Sequence, residues 1–189
     1  MEFSAVVLAG GQGSRMGGLD KGIVQYRERK MIEWTLDVIK PLVSQLLISC
    51  NRNLSDYMPL ADSVVCDRIA GSLGPLAGIH AAMESAASTT LLVLPCDTPL
   101  ISGSIIERIL QSAADNPDAI VVLAEDEFLH PLHAAIPVAL KQSLEDYLID
   151  GGRAVRKWYY QHNVVKLQVS AQESALLVNI NTTEELQSY

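Results

Sequence analysis

The chain has 189 residues, 49% of them hydrophobic but only 5% aromatic, with 22 Asp plus Glu against 14 Lys plus Arg. That length suits one domain over residues 1–189, and a core of Leu, Val, Ile and Ala suits strands covered by helices on both faces. The acidic balance, without blocks of like charge, excludes a broad nucleic-acid or anionic-membrane footprint, so any polyanion must meet a local site.

Three cysteines, Cys50, Cys66 and Cys96, are an odd number with no CxxC spacing and no clustered histidines. A disulfide framework or zinc centre is therefore disfavoured and a reducing compartment expected. The first residues lack a basic stretch followed by an apolar one, and no apolar run reaches the length of a membrane span. The expectation is a cytoplasmic protein with no membrane or nucleic-acid partner.

The first strand spans Ala5–Ala9 and feeds a glycine-rich loop, GGQGSRMGGLDK, at residues 10–21. Glycines let a backbone approach an anion without a Cβ in the way, and a loop leaving a parallel strand aims its N–H groups above the strand end. Two common phosphate motifs fail on spacing. A P-loop needs Lys after its second glycine, but Leu19 follows Gly18, and a dinucleotide fingerprint counted from Gly11 and Gly13 meets Met16 at its third small position. Arg15 offers a planar donor fork and Lys21 a mobile point charge, together suiting a polyphosphate.

A helix follows over Met31–Val43, shortened or kinked by Pro41, then strands at Gln45–Ser49 and Ser63–Cys66. Asp67 ends the latter before a second glycine-rich stretch, Gly71 to Gly78, that leads into an Ala-rich helix, Pro75–Ser85, with proline near its start. Strand Thr90–Leu94 runs into Pro95-Cys96-Asp97-Thr98-Pro99, whose two prolines stiffen the exit and leave Asp97 at a strand's carboxyl end. A lone carboxylate there, facing a basic loop, is enough for Mg2+, which draws its other ligands from water and substrate phosphates.

Ser104–Ala114 is a helix with apolar Ile105, Ile106, Ile109 and Leu110, capped by Ser102 or Ser104. A strand at Ala119–Ala124, helices at Pro137–Leu148 and Gly152–Gln161, and strands at Val164–Val169 and Leu176–Ile180 complete the alternation. Thr182 to Glu185 has capping-box spacing and starts a short last helix. Strand and helix in alternation imply an α/β fold, a three-layer αβα arrangement on a mostly parallel sheet, with ligands at the strands' carboxyl ends. His130 and His133, in His-Pro-Leu-His, have no carboxylate cluster beside them and read as structural or substrate-lining. Arg153 and Arg156 offer cations to a substrate phosphate, but on an amphipathic stretch they read as solvated.

The chain resembles the molybdenum cofactor guanylyltransferases, MobA-like members of the nucleotidyltransferase superfamily. The resemblance rests on Leu8-Ala9-Gly10-Gly11 with Ser14-Arg15-Met16-Gly17 and Asp20-Lys21, on Asp67 with Gly74-Pro75-Leu76-Ala77-Gly78, on Pro95-Cys96-Asp97-Thr98-Pro99, on His130-Pro131 and on Asn179-Ile180-Asn181-Thr182. These pieces run the length of the chain in order.

The resemblance implies a Rossmann-like nucleotidyltransferase fold and Mg2+-dependent transfer of GMP from GTP to the phosphate of molybdopterin, with release of pyrophosphate. It also implies roles for residues. Leu8, Ala9, Gly10 and Gly11 line the nucleotide; Arg15 and Lys21 meet the triphosphate; Asp67 contacts the guanosine; Asp97 binds the metal; Asn179 and Asn181 hold molybdopterin. Ser49 stands where some relatives carry asparagine, and Asn51-Arg52 is placed to take over a nucleobase contact. Molybdenum cofactor delivery and acceptor proteins are the implied macromolecular partners.

An ionised phosphate acceptor needs no strong base, so positioning and charge neutralisation suffice and no catalytic triad is required. The alternatives are CTP on molybdopterin, an NTP on a sugar phosphate, or a non-catalytic GTP- or cofactor-binding protein. Gly11 beside Gly10 leans against CTP, and Arg15, Lys21 and Asp97 lean against loss of catalysis.

Overall fold

The computed structural model describes residues 2–9, 20–69 and 74–180. The first strand, β1 (Ser4–Leu8), is apolar apart from Ser4 and buried on both faces. Such a strand is stable only at the centre of a covered sheet. It pairs in parallel with β4 (Gln45–Ser49) on one side and β6 (Thr90–Pro95) on the other. Between β1 and β4 lie a small hairpin, β2 (Gln25–Tyr26) with β3 (Arg29–Lys30), and helix α1 (Met31–Ile39). Glu33 in the first turn of α1 reaches back to accept from the Lys30 N–H at 2.9 Å. As expected of Pro41, α1 stops at Ile39 and a 3-10 turn, Lys40–Leu42, closes it.

After β4 come a single helical turn, α2 (Leu54–Tyr57), and edge strand β5 (Ser63–Val65), parallel to β4. Helix α3 (Pro75–Ser85) then returns the chain to the middle, where β6 lies against β1. Past helix α4 (Gly103–Asp115) the order is β7 (Ile120–Glu125), β8 (Phe128–Pro137), α5 (Lys141–Ile149), α6 (Val155–Tyr159), β9 (Val164–Gln168) and α7 (Ala171–Ser174).

The large sheet has seven strands in the order β5-β4-β1-β6-β8-β7-β9. All its pairings are parallel except those of β8, which is antiparallel to both β6 and β7. The sheet is thus mostly parallel, with one reversed strand inserted near its middle. No strand is expected at β8 from the sequence, because Pro131 removes a ladder donor and two histidines break the apolar run.

Side-chain alternation divides the core into two layers. Ala5, Val7, Ile48, Leu92 and Leu94 pack under α1 and α4, whereas Val6, Leu8, Leu47, Leu91 and Val93 pack under α3, α5 and α6. Helix α4 buries Ile105, Ile106, Ile109, Leu110 and Ala113, one face of a 3.6-residue period. Helix α3 packs tightly on the sheet. A Cβ at Gly78 would lie 2.4 Å from Ser49 Oγ and 3.2 Å from Leu8 Cδ2, so only glycine fits.

Two expectations are corrected. Leu176–Ile180 is not a strand: it holds the end of a 3-10 turn, Ala175–Leu177, and then an extended stretch to Ile180. That stretch docks on the β6 exit instead, the Ile180 N–H donating to the Asp97 carbonyl at 2.9 Å. The helix at 152–161 shrinks to α6, because Gly151 has φ +86° and helical backbone begins only at Val155. The capping-box helix from Thr182 lies outside the described residues.

Candidate active site

The strand order reverses direction around β1. From β1 the chain builds outward through β4 to β5 and then crosses back to β6 on the other side. Open parallel sheets bind ligands above the carboxyl ends at such a switch point. There a cavity of about 500 Å³ is lined by Leu8, Ala9, Lys21, Asp97 and Asn179 together with residues of α3, β6 and β8.

Ala9, Lys21 and Asp97 each have an identifiable support. Ala9 continues β1 by donating its N–H to Ser49 O at 2.9 Å. Lys21 opens a 3-10 turn, Lys21–Ile23, and its position depends on the residue before it. Asp20 is buried, and its carboxylate accepts from the Gly22 N–H at 3.2 Å, Asn53 Nδ2 at 3.1 Å and the Tyr57 hydroxyl at 2.5 Å. Burial, and then the Asp20 carboxylate, push the Tyr57 hydroxyl well above the usual tyrosine range, so it stays a donor. A Cβ at Gly22 would come within 2.4 Å of that hydroxyl. Asp20 is thus a structural pin for the lysine that follows it.

Lys21 Nζ donates to Asp97 Oδ2 at 3.1 Å. The other carboxylate oxygen, Asp97 Oδ1, is buried and has no hydrogen-bond partner among the described residues. An orphaned anionic oxygen in a cavity wall is costly unless a cation or donor reaches it. Among the described residues no group of three or more His, Cys, Asp or Glu converges on a metal position. A cation at Oδ1 would therefore take one protein carboxylate, with substrate phosphates and water completing the shell, which is how magnesium is usually held.

The turn carrying Asp97 is held from two sides. Its carbonyl accepts from Ile180, while the buried Thr98 Oγ1 lies 3.2 Å from Nε2 of the buried His133. Burial, and secondarily the neighbouring His130, drive the His133 pKa down to about 3, so the imidazole is neutral. His133 reaches this place through a bulge: the pairing of β7 with β8 shifts between Val122 and Leu123, which leaves Pro131, Leu132 and His133 outside the regular register. Pro131 is tolerated there, and its carbonyl accepts from the buried Tyr159 hydroxyl at 2.7 Å.

Because β8 runs backwards, its amino half lies at the same sheet edge as the other strands' carboxyl ends, so Phe128, His130, Pro131, Leu132 and His133 line the cavity. The two histidines, expected to be structural or substrate-lining, divide accordingly: both line the cavity, and His133 also anchors the Asp97 turn. Phe128 carries no sequence signal beyond being one of two phenylalanines.

Asn51 and Asp67 lie at the neighbouring strand ends, away from this lining. Asn51 Nδ2 donates to Asp67 Oδ2 at 2.8 Å, and the Asp67 N–H donates to Asn51 Oδ1 at 2.9 Å. Ser49 is buried beneath Gly78 and does not face the cavity. Gly10, Gly11, Arg15 and Asn181 lie outside the described residues. Cys50 and Cys96 are buried and Cys66 half-buried, all three as free thiols.

The profile of the MobA-like NTP transferase domain matches residues 5–166. A molybdenum cofactor guanylyltransferase of Shewanella woodyi is 37% identical over 187 residues, covering 99% of this chain and 95% of that one. The enzyme of the same name from Ectopseudomonas mendocina is 38% identical over 183 residues, covering 97% and 89%. Among solved structures, the molybdopterin-guanine dinucleotide biosynthesis protein A of Archaeoglobus fulgidus superposes with TM-score 0.82 at 25% identity, over 98% of this chain and 95% of that one. A strand order that reverses at β1, a Lys21–Asp97 pair in the resulting crevice and a near full-length match lead to one conclusion: the chain belongs to the MobA-like NTP transferase family.

Proposed function

We propose that the protein transfers GMP from GTP to the phosphate of molybdopterin, forming molybdopterin guanine dinucleotide and pyrophosphate. The observation that carries this reading is the Lys21–Asp97 pair with its orphaned Oδ1 at the switch point. Relatives bearing the guanylyltransferase name along nearly the whole chain give the substrates.

In this reading an oxygen of the acceptor phosphate attacks the α-phosphorus of GTP in line. A new P–O bond forms, the α–β bridging P–O bond breaks, and its electron pair leaves with pyrophosphate. The acceptor is already an anion, so no side chain need take a proton. The chain's work is to bring two polyanions together. Asp97 Oδ1 would hold Mg2+, which when bound neutralises charge on the α-phosphate and the departing pyrophosphate. Lys21, held by its bond to Oδ2, stands beside the same phosphates, and the family resemblance adds Arg15 for the triphosphate and Gly10 and Gly11 for the nucleotide. Leu8 and Ala9 floor the nucleotide, Asp67 oriented by Asn51 meets the guanine, and Asn179 and Asn181 hold the acceptor.

A reducing cytoplasm suits three free thiols and a labile product, and hand-over to and from cofactor delivery and acceptor proteins follows from that lability. No helix among the described residues is long and apolar enough to cross a membrane. The test is pyrophosphate release with each NTP, molybdopterin and Mg2+, for wild type and Asp97→Ala. GTP-dependent release lost in the variant supports the assignment. Release with CTP alone would reject the guanylyl reading, and undiminished release by the variant would reject Asp97 as metal ligand.

A further inference from the structure

The cavity has a wall that phosphate chemistry does not use. Phe128 lines it while 53% exposed, leaving part of its ring free to pack against a ligand. His130 lies two residues along the same strand, its ring edge-on to Phe128 with centroids 5.2 Å apart. His130 belongs to this lining, and its Nε2 is buried with no hydrogen-bond partner among the described residues. Arg156, exposed at the start of α6, places its guanidinium carbon 4.8 Å from the centre of the Phe128 ring.

The platform is braced from the neighbouring strand. Phe128 follows a two-residue hairpin turn in which Asp126 has φ +50°. Strand β9 braces that turn, with Lys166 Nζ donating to Glu127 at 2.6 Å and Gln168 Nε2 to the Asp126 carbonyl at 3.3 Å. It is also separated from the Asn51–Asp67 pair. That pair lies at the ends of β4 and β5, Phe128 and His130 lie on β8, and β1 and β6 with Asp97 run between.

We propose that Phe128, His130 and Arg156 form the subsite for the acceptor's flat fused heterocycle: Phe128 stacks on the ring system, His130 Nε2 bonds its polar edge, and Arg156 covers it from solvent. Base–aromatic stacking combined with one edge hydrogen bond is the usual way a planar, polar-rimmed heterocycle is held without reading a sequence. Burial, and then Arg156, lower the His130 pKa against an opposing pull from Glu125, which favours a neutral ring able to donate or accept at Nε2. The proposal rests on the guanylyl-transfer reading only for the identity of the acceptor as a pterin. A purine would satisfy the same chemistry, so the test separates the two.

The variants are Phe128→Ala, Phe128→Leu, which keeps bulk without a ring, and His130→Phe against His130→Gln. Two quantities are measured on the full chain: quenching of the intrinsic fluorescence of 6-hydroxymethylpterin on titration, and the KM values for molybdopterin and GTP in the transfer assay. Loss of a stacking face is expected to weaken pterin binding, and to raise the molybdopterin KM, by about tenfold or more, with GTP KM and thermal midpoint unchanged. His130→Gln should recover part of what His130→Phe loses. A rise in GTP KM with pterin binding intact would assign the wall to the purine and overturn the proposal. Transfer by wild type with an unchanged molybdopterin KM in Phe128→Ala would overturn it while leaving the guanylyl reading standing. Pterin binding that depends on Phe128 in a protein that transfers no GMP would sustain the subsite and reject that reading. A wild type that neither binds the pterin nor transfers would overturn the subsite as well.

Discussion

Asp97 turns one carboxylate oxygen to Lys21 at 3.1 Å and keeps the other buried with no hydrogen-bond partner among the described residues. One oxygen of this side chain thus faces the Lys21 ammonium, and the other is left for the cation proposed above.

Asp97→Asn preserves shape and removes the charge. Transfer activity is expected to fall by a factor on the order of 100 or more, as when one electrostatic stabiliser is removed from a site of developing charge. The urea midpoint should change little, because Lys21 keeps an oxygen to donate to. Steady-state rates across a Mg2+ titration check it: a metal requirement identical to that of wild type would contradict direct ligation.

Asn51→Ala removes both side-chain bonds to Asp67 and leaves its carboxylate unoriented. The expected result is a GTP KM raised about tenfold with kcat within a few-fold, in line with one hydrogen bond to a charged group. An unchanged KM for GTP would remove Asp67 from the nucleobase site.

His133 is buried neutral, its pKa pushed from the ordinary 6.5 to about 3. Between those values the unfolded chain binds a proton that the folded chain refuses. Stability from this group is therefore complete above about pH 6.5 and declines as pH falls toward 3, with a limiting slope of about 1.4 kcal/mol per pH unit. His130 and His162 are shifted in the same direction and add to it. Urea midpoints between about pH 7.5 and pH 4.5 should fall less steeply for His133→Gln than for wild type; parallel curves would refute the assignment.

Gly78→Ala forces a methyl to within 2.4 Å of Ser49 Oγ. A loss of about 1–3 kcal/mol is expected from overpacking. Ser49→Ala made together with it should recover part of that loss, the coupling expected of touching side chains, in a denaturation double-mutant cycle.

Burial raises the Cys50 thiol to about 11 and raises Cys96 further, whereas Cys66 is half-buried. Iodoacetamide at about pH 7.5 should label Cys66 in the native protein and reach the other two only in urea, as mass spectrometry of the digested protein would show. Rapid native labelling of Cys96 would mean that the β6 exit is open.

The runs β1, β4, β6, β7 and β9 were legible because each is a short apolar run between breakers, α1 and α4 because their apolar stripes are regular, and α3 because a proline opens an Ala-rich stretch. Asp97 and Lys21 were legible too, since a strand end and a glycine loop announce where polar groups must gather. Local chemistry alone settled the alternating α/β class. Which strand lies beside which was a matter of tertiary structure. The reversal of β8 depends on pairing with β6 and β7, and β6 is far from it in the chain. No local pattern records that Pro131 and His133 sit in a bulge rather than a loop. That reversal placed Phe128 and His130 in the cavity and His133 under Thr98. The same holds for Ile180, whose extended segment looked like a strand but found its hydrogen bond on the Asp97 carbonyl instead of a sheet edge. A hydrophobic period states which face must be buried; only the assembled sheet decides against what.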